Sequence, residues 1–311
     1  MDKRLKQSII KTLAYYDQFD HPLTKEELFR FLWQPPAISY GLFLQELEIL
    51  GIDCKYGYYF LPGREKLVEI RRSRTVDNDH KHLVARRSAK KIRWVPFVRA
   101  MLVCNNTSFE MAGQKSDIDV VIVAKQGRIW LARMFATLLL SIFCLRRTGK
   151  KTTNRICLSF YATDQALNFY KLKIAEPDIG LMYWIMQFVS IYDPNGIQEK
   201  ILEQNQWIRT YLPNAFLSST MGHRFMVKDN IFTKALKFFW EKSWQGMYGD
   251  TVEKQCKAMQ KNKMSKNIHS VQDEPDTRVV ISDEILKFHE KDRRIQYKEE
   301  WERRINKITC F

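Results

Sequence analysis

The sequence predicts an α+β fold, and three stretches carry that prediction. Residues 96–175 read as strand, loop, strand, helix and strand. Residues 1–63 read as three short helices followed by a β-hairpin, and most of the chain beyond residue 176 has helical spacing. The resulting division is a helical N-terminal unit (1–63), a basic helical linker (64–95), an α/β core (96–175), a helical region (176–265), and a polar linker with a charged C-terminal helix (266–311).

In the first unit, Ile9, Ile10, Leu13, Ala14 and Tyr16 follow helical spacing. Thr24 and Glu27 stand in the positions of a capping box that opens a second helix, which stops before Pro35 and Pro36. A third helix starts near Ser39 and carries Leu42, Phe43, Leu47 and Leu50. Two short strands around Lys55 to Gly57 complete the order of a winged helix. The third helix, where such a fold reads the major groove, holds Glu46 and Glu48 and no cation. That composition argues against groove binding and leaves docking as the plainer role.

Residues 64–94 are dense in Arg and Lys, and apolar positions at Leu67, Ile70, Leu83, Val84 and Ile92 predict a helix with one wet face. A break is expected at Asp77-Asn78-Asp79. The basic face is open to two readings, a solvated surface or a strip that contacts phosphates. His80 and His82 read as polar surface rather than a ligand pair.

Residues 97–103 and 117–123 are buried-strand runs. The apolar stretch 129–145 falls short of the ~20 residues a bilayer span needs and carries Arg133, so it reads as a buried helix. Residues 154–163 read as a third strand. Further on, residues 179–191 are apolar and aromatic within the helical region. Phe238, Phe239, Trp240 and Trp244 recur at helical spacing, which is expected to reflect packing. Residues 267–277 are polar, and 284–308 read as an amphipathic, charged helix.

Composition narrows the function classes. With 45% hydrophobic and 13% aromatic residues, the 311-residue chain has material for real cores, which excludes global disorder. A net charge of +16 suits polyanionic partners such as nucleic acid, nucleotide phosphates or acidic lipid surfaces, and equally a solvated basic surface. The six cysteines, Cys54, Cys104, Cys144, Cys157, Cys256 and Cys310, are scattered, which predicts reduced thiols and a cytoplasmic location. No apolar signal core follows Met1, and no integral membrane segment is expected.

The chemically informative stretch is 104–120. Asp117 and Asp119 sit two apart at the start of a strand, so their side chains share one face. Carboxylates held that close repel unless a cation lies between them. Mg²⁺ (or Mn²⁺) suits the task, because it binds one or two carboxylates together with phosphate oxygens. Phosphoryl and nucleotidyl transfer use such a clamp.

This stretch resembles the DNA polymerase β-like nucleotidyltransferase superfamily, whose signature is Gly-Ser, about ten residues, then Asp-x-Asp. Ten residues separate Asn106 from Asp117, and Ser116-Asp117-Ile118-Asp119-Val120 is similar to the family's S-D-I-D-L. Gly127-Arg128-Ile129-Trp130-Leu131, Asn205-Gln206-Trp207 and Leu212-Pro213-Asn214 resemble segments of uncharacterised bacterial members. The resemblance covers the chain up to about residue 265. It implies a small mixed-sheet nucleotidyltransferase core between a winged-helix-like unit and a helical C-terminal region. It further implies transfer of an NMP from an NTP to an unidentified acceptor. Asp117 and Asp119 would be the catalytic, metal-holding acids, and Asn105, Asn106, Thr107, Ser108 and Ser116 would bind the nucleotide.

Two departures stand out. The family's Gly-Ser falls on Asn105-Asn106, which puts a side chain where backbone should approach the triphosphate. Residues 155–163 carry no acid, so the third carboxylate is missing from its usual strand; Asp164 is the candidate for that role or a turn residue. The alternative reading is therefore a catalytically degenerate relative that serves as a nucleic-acid or protein binding module.

Overall fold

The computed structural model describes residues 3–216, 223–266, 270–274 and 276–309. Cys310 and residues 267–269 and 275 of the polar stretch lie outside the described residues.

The N-terminal unit opens with α1 (Lys3–Asp17), which buries Leu5, Ile9, Leu13 and Tyr16. A two-residue strand β1 (Leu23–Thr24) leads into α2 (Lys25–Arg30). The Thr24 hydroxyl accepts from the Glu27 amide, and the Glu27 carboxylate accepts from the Thr24 amide, so the capping box forms as expected. Ser39 caps α3 (Tyr40–Ile49) by accepting from the Leu42 amide. Strands β2 (Cys54–Lys55) and β3 (Tyr58–Tyr59) form the hairpin. Tyr56 (φ 52°) and Gly57 (φ 78°) both turn through the left-handed region, as a two-residue hairpin loop requires. The stretch before α2 pairs through β1 with β3, giving a three-stranded antiparallel sheet in the order β1-β3-β2.

Helix α4 (Leu67–Ile92) runs unbroken through 77–79, against expectation. The Asn78 side chain donates to the Glu110 and Ala112 carbonyls and accepts from the Ala112 amide. The same amide also donates back to the Arg74 carbonyl one turn earlier (2.8 Å), so the side chain is held by its own helix and by a distant loop, and the helix continues. Arg71, also on α4, makes two hydrogen bonds with the Glu27 carboxylate (2.6 and 2.7 Å) and ties the N-terminal unit to this helix.

The core follows as β4 (Val98–Val103), a short α5 (Asn105–Ser108), β5 (Ile118–Ala124), α6 (Ile129–Ile142) and β6 (Ile156–Thr163). After α7 (Ile179–Met186) comes β7 (Val189–Tyr192), where helix was expected. A short apolar run cannot be assigned by periodicity alone, and Ser190, Ile191 and Tyr192 are all buried. Helices α8 (Ile197–Gln204), α9 (Ile231–Ser243) and α10 (Gly246–Ser265) follow. The predicted C-terminal helix is in part a hairpin, β8 (Val279–Ile281) and β9 (Ile285–Phe288), and only then α11 (Arg294–Thr309). The hairpin is set by pairing of β9 with β6, a contact no local pattern could reveal.

The mixed six-stranded sheet has the order β7-β4-β5-β6-β9-β8, in which β5 and β6 are parallel and all other pairs antiparallel. Strand alternation sends Ala100, Leu102, Val121, Val123 and Phe160 to one face, packed with α1, α2 and α7. Met101, Val103, Val120, Ile122 and Tyr161 face the other way, against α4, α6 and α10. Helix α6 buries Trp130, Leu131, Ala136 and Leu140, as expected of a core helix. No helix of the described residues is long and apolar enough to cross a membrane. Trp244 packs against the core beside Phe135 as expected, but Phe238 and Phe239 of α9 are a correction. Phe238 and Phe239 are 62% and 64% exposed, so packing does not account for them.

Candidate functional site

Asp119 lies on β5 with its side chain toward the α1/α7 face, at the end of the strand where β4 turns into α5. Asp117, two residues earlier, projects beside it. On the neighbouring parallel strand, Cys157 pairs in register with Asp119. One ligand atom from each of Asp117, Asp119 and Cys157 lies within 4.8 Å of the others. Two carboxylates and a thiol could together hold a divalent cation, though a neutral thiol is a poor partner for Mg²⁺.

Each acid also has a protein partner. The Asn105 amide donates to Asp119 Oδ2 (2.9 Å), and Arg147 donates to Asp117 Oδ2 (2.6 Å). Asn105 sits at φ 55°, a left-handed conformation that asparagine tolerates better than most residues. Burial, then the neighbouring Asp117, pushes the Asp119 carboxyl up from its ordinary value. Burial and Asp119 raise the Cys157 thiol to about 12, so it stays protonated without a metal. Burial disfavours the Arg147 charge, but Asp117 and Cys157 more than compensate and its pKa rises.

Asp119 opens onto a cleft of about 640 Å³, with Asp117 beside it. Asn105, Asn106, Asp119 and Arg147 form one wall, while Phe160 and Trp184 lie at ring distance 5.1 Å beside them. Tyr15 and Phe19 of α1 and Tyr297 of α11 add aromatic surface. The end of β9 and its connection to α11 also line the cleft, with Lys287, His289, Lys291, Arg293 and Arg294. Within it, Asp292 accepts from Lys287 (3.0 Å) and Arg294 (2.7 Å). Burial opposes ionisation of Asp292, but Arg294 and Lys287 outweigh it and hold the carboxyl well below its usual range. His289 contacts the Ser159 hydroxyl (3.2 Å), and burial, reinforced by Lys287, lowers its pKa to about 4.

The sequence-predicted residues divide into two groups. Asp119, Asn105 and Asn106 line the cleft, and Asp117 stands beside Asp119. Thr107 and Ser108 are buried, and the Ser108 hydroxyl donates to the Asn105 carbonyl (2.7 Å), so neither faces a ligand. Ser116 donates to the Gly113 carbonyl (2.9 Å) and serves the loop before Asp117. Asp164 follows the opposite end of β6, where its carboxylate accepts from the Gln126 amide (2.9 Å). The five residue steps from Asp119 to Ala124 span roughly 16 Å of strand, which removes Asp164 from the acid pair and makes it a turn residue.

Four contributors were missed. Cys157 was discernible in principle, as the inward-facing residue of β6 that aligns with Asp119. Arg147 came from a basic turn, and His289 from a segment expected to be helical. Lys81 was one more cation of the linker. It is fully buried and donates to the Ser116 carbonyl (2.8 Å) and to Asn154 (2.6 Å), anchoring the loop that delivers Asp117.

No protein-family model, curated protein or solved structure matches the chain.

Proposed function

We propose that the cleft binds a nucleoside triphosphate with Mg²⁺ or Mn²⁺, and that the chain is a nucleotidyltransferase moving an NMP to an acceptor. The observation that carries this reading is the pairing of Asp117 with Asp119, and of Asp119 with the left-handed Asn105 turn, where Asp119 and Asn105 line one cleft. In this reading Asp117 and Asp119 would hold the cation, which would supply charge neutralisation for the phosphates. Arg147, paired with Asp117 and lining the cleft, would add positive charge for the phosphate oxygens. Lys291 and Arg293, exposed along the same cleft, supply further positive charge. The aromatic lining offers stacking surface for a base. The N-terminal unit, with the helix order and antiparallel hairpin of a winged helix, would be a docking module: its α3 exposes Leu42 and Ile49 and no cation. The setting of this reading is cytoplasmic.

A second reading rests on Cys157. It occupies the place beside the two acids where a third carboxylate would help deprotonate the acceptor hydroxyl. On this reading the chain binds nucleotide, nucleic acid or a protein partner without turnover. Incubation with α-phosphate-labelled NTPs and Mg²⁺ or Mn²⁺ separates the two. Pyrophosphate release with label transferred to protein, nucleic acid or small acceptors supports transfer. Bound but intact NTP supports the second reading.

A further inference from the structure

We infer that the face of the molecule built by α6, the end of α4 and α9 is a docking surface for an anionic lipid bilayer. The observation is an apolar surface that the fold leaves uncovered. Along α9, Ile231 is 88% exposed, and Phe232, Phe238, Phe239 and Trp240 are also exposed. At 100° per residue these side chains cover about half of the helix circumference. Only Thr233 and the Lys237 and Glu241 positions turn toward the body. Met247 (87% exposed) and Tyr248 extend the surface into α10. Leu138, Ile142 and Phe143 extend it along α6.

Ring contacts join these patches into one surface. Phe135 of α6 meets Trp240 and Trp244, and Trp94 beyond α4 meets Phe232. A scattered exposed apolar residue needs no explanation, but a contiguous aromatic surface of this extent marks an interaction site.

Charge selects the occupant. Lys91 lies over the Phe143 ring (4.0 Å), Arg93 over Trp94 and Lys242 over Phe238. Lys228 and Lys234 stand on the same rim. None of these five cations forms an ion pair among the described residues. The nearby acids are committed elsewhere: Glu241 to Arg99, Asp229 to the Tyr192 hydroxyl, Asp250 to Arg128. Unpaired cations around exposed Trp, Tyr and Phe fit a bilayer interface, where rings sit at headgroup depth and cations meet anionic lipid. A second copy of this surface would oppose cation to cation. The surface lies on the α4/α6/α10 side of the sheet, whereas Asp119 and the cleft lie on the α1/α7 side. A protein bound to a bilayer in this way keeps the cleft open to solution.

The test is co-sedimentation of the full chain with vesicles of phosphatidylcholine, with and without phosphatidylglycerol. It is run alongside the triple variant Ile231→Gln/Phe238→Gln/Phe239→Gln and the charge variant Lys234→Glu/Lys242→Glu. These positions are exposed, and circular dichroism with thermal melting confirms that the variants fold. The expected result is binding to phosphatidylglycerol vesicles only, weakened by salt, with a blue shift of tryptophan emission. Each variant should weaken it at least about tenfold. Equal binding by wild type and triple variant, or no binding by wild type, overturns the inference. So does a dimer in light scattering that the triple variant dissolves, because the surface would then cover itself.

Discussion

Replacing Asn105 probes both the backbone and the acid pair. Its amide donates to Asp119 at 2.9 Å, a bond to a charged acceptor that contributes about 1.5–3 kcal/mol. Its φ of 55° costs an ordinary L-residue about 1–2 kcal/mol, less for asparagine. Asn105→Ala loses the hydrogen bond and keeps a Cβ in the left-handed region, for an expected loss of about 2–4 kcal/mol. Asn105→Gly loses the same bond but relieves the strain, against about 0.5–1 kcal/mol of added freedom in the unfolded chain. Glycine should therefore be more stable than alanine by about 1 kcal/mol, with wild type above both. Guanidinium titration followed by tryptophan fluorescence in chelator measures the order. Without the amide, Asp119 faces Asp117 with less compensation, so Mg²⁺ or Mn²⁺ should stabilise both variants more than wild type. An alanine variant as stable as the glycine variant, or no larger metal effect in either, refutes the reasoning.

Arg71→Ala leaves Glu27 buried and unpaired and should cost about 3–5 kcal/mol; the double change Arg71→Met/Glu27→Met should cost less than Arg71→Ala alone in the same titration. Stability should fall as pH drops from about 6.5 to 4, because the unfolded chain protonates His289 there while the folded protein keeps it neutral. The unfolded state binds more protons in that window, so the sign is a loss toward acid, with a ceiling of about 3 kcal/mol from this residue. Comparing wild type with His289→Gln at pH 6.5 and 4.5 should show a flatter dependence in the variant. Cys157→Asp should destabilise the metal-free protein and tighten Mn²⁺ binding at least about tenfold by calorimetry, since it sets a third carboxylate beside the pair.

Local rules made much of the fold legible. Thr24 and Glu27 declare a capping box, the Tyr56-Gly57 turn declares a hairpin, and β4 and β6 lie within their expected spans while β5 passes its own by one residue. The acid pair was legible for the same reason, since period-two alternation puts Asp117 and Asp119 on one face. What escaped depends on contacts distant in sequence. Strand β9 exists because β6 offers an edge, and only that pairing carries His289 and Lys287 to the cleft. Asn78 resembled a helix breaker until a loop more than 30 residues away took its amide. The aromatic residues of α9 have core spacing, yet spacing states only that they share a side, and that side is solvent.

The account stands on whether the acid pair and its cleft take a metal–nucleotide complex. The direct measurement is binding of labelled ATP, GTP, CTP and UTP, with and without Mg²⁺ or Mn²⁺, to wild type and to Asp117→Ala/Asp119→Ala. Wild type should bind only with the cation present, and binding should disappear in the double variant. Absence of binding in folded wild type, or binding that ignores both the cation and the two aspartates, would contradict it.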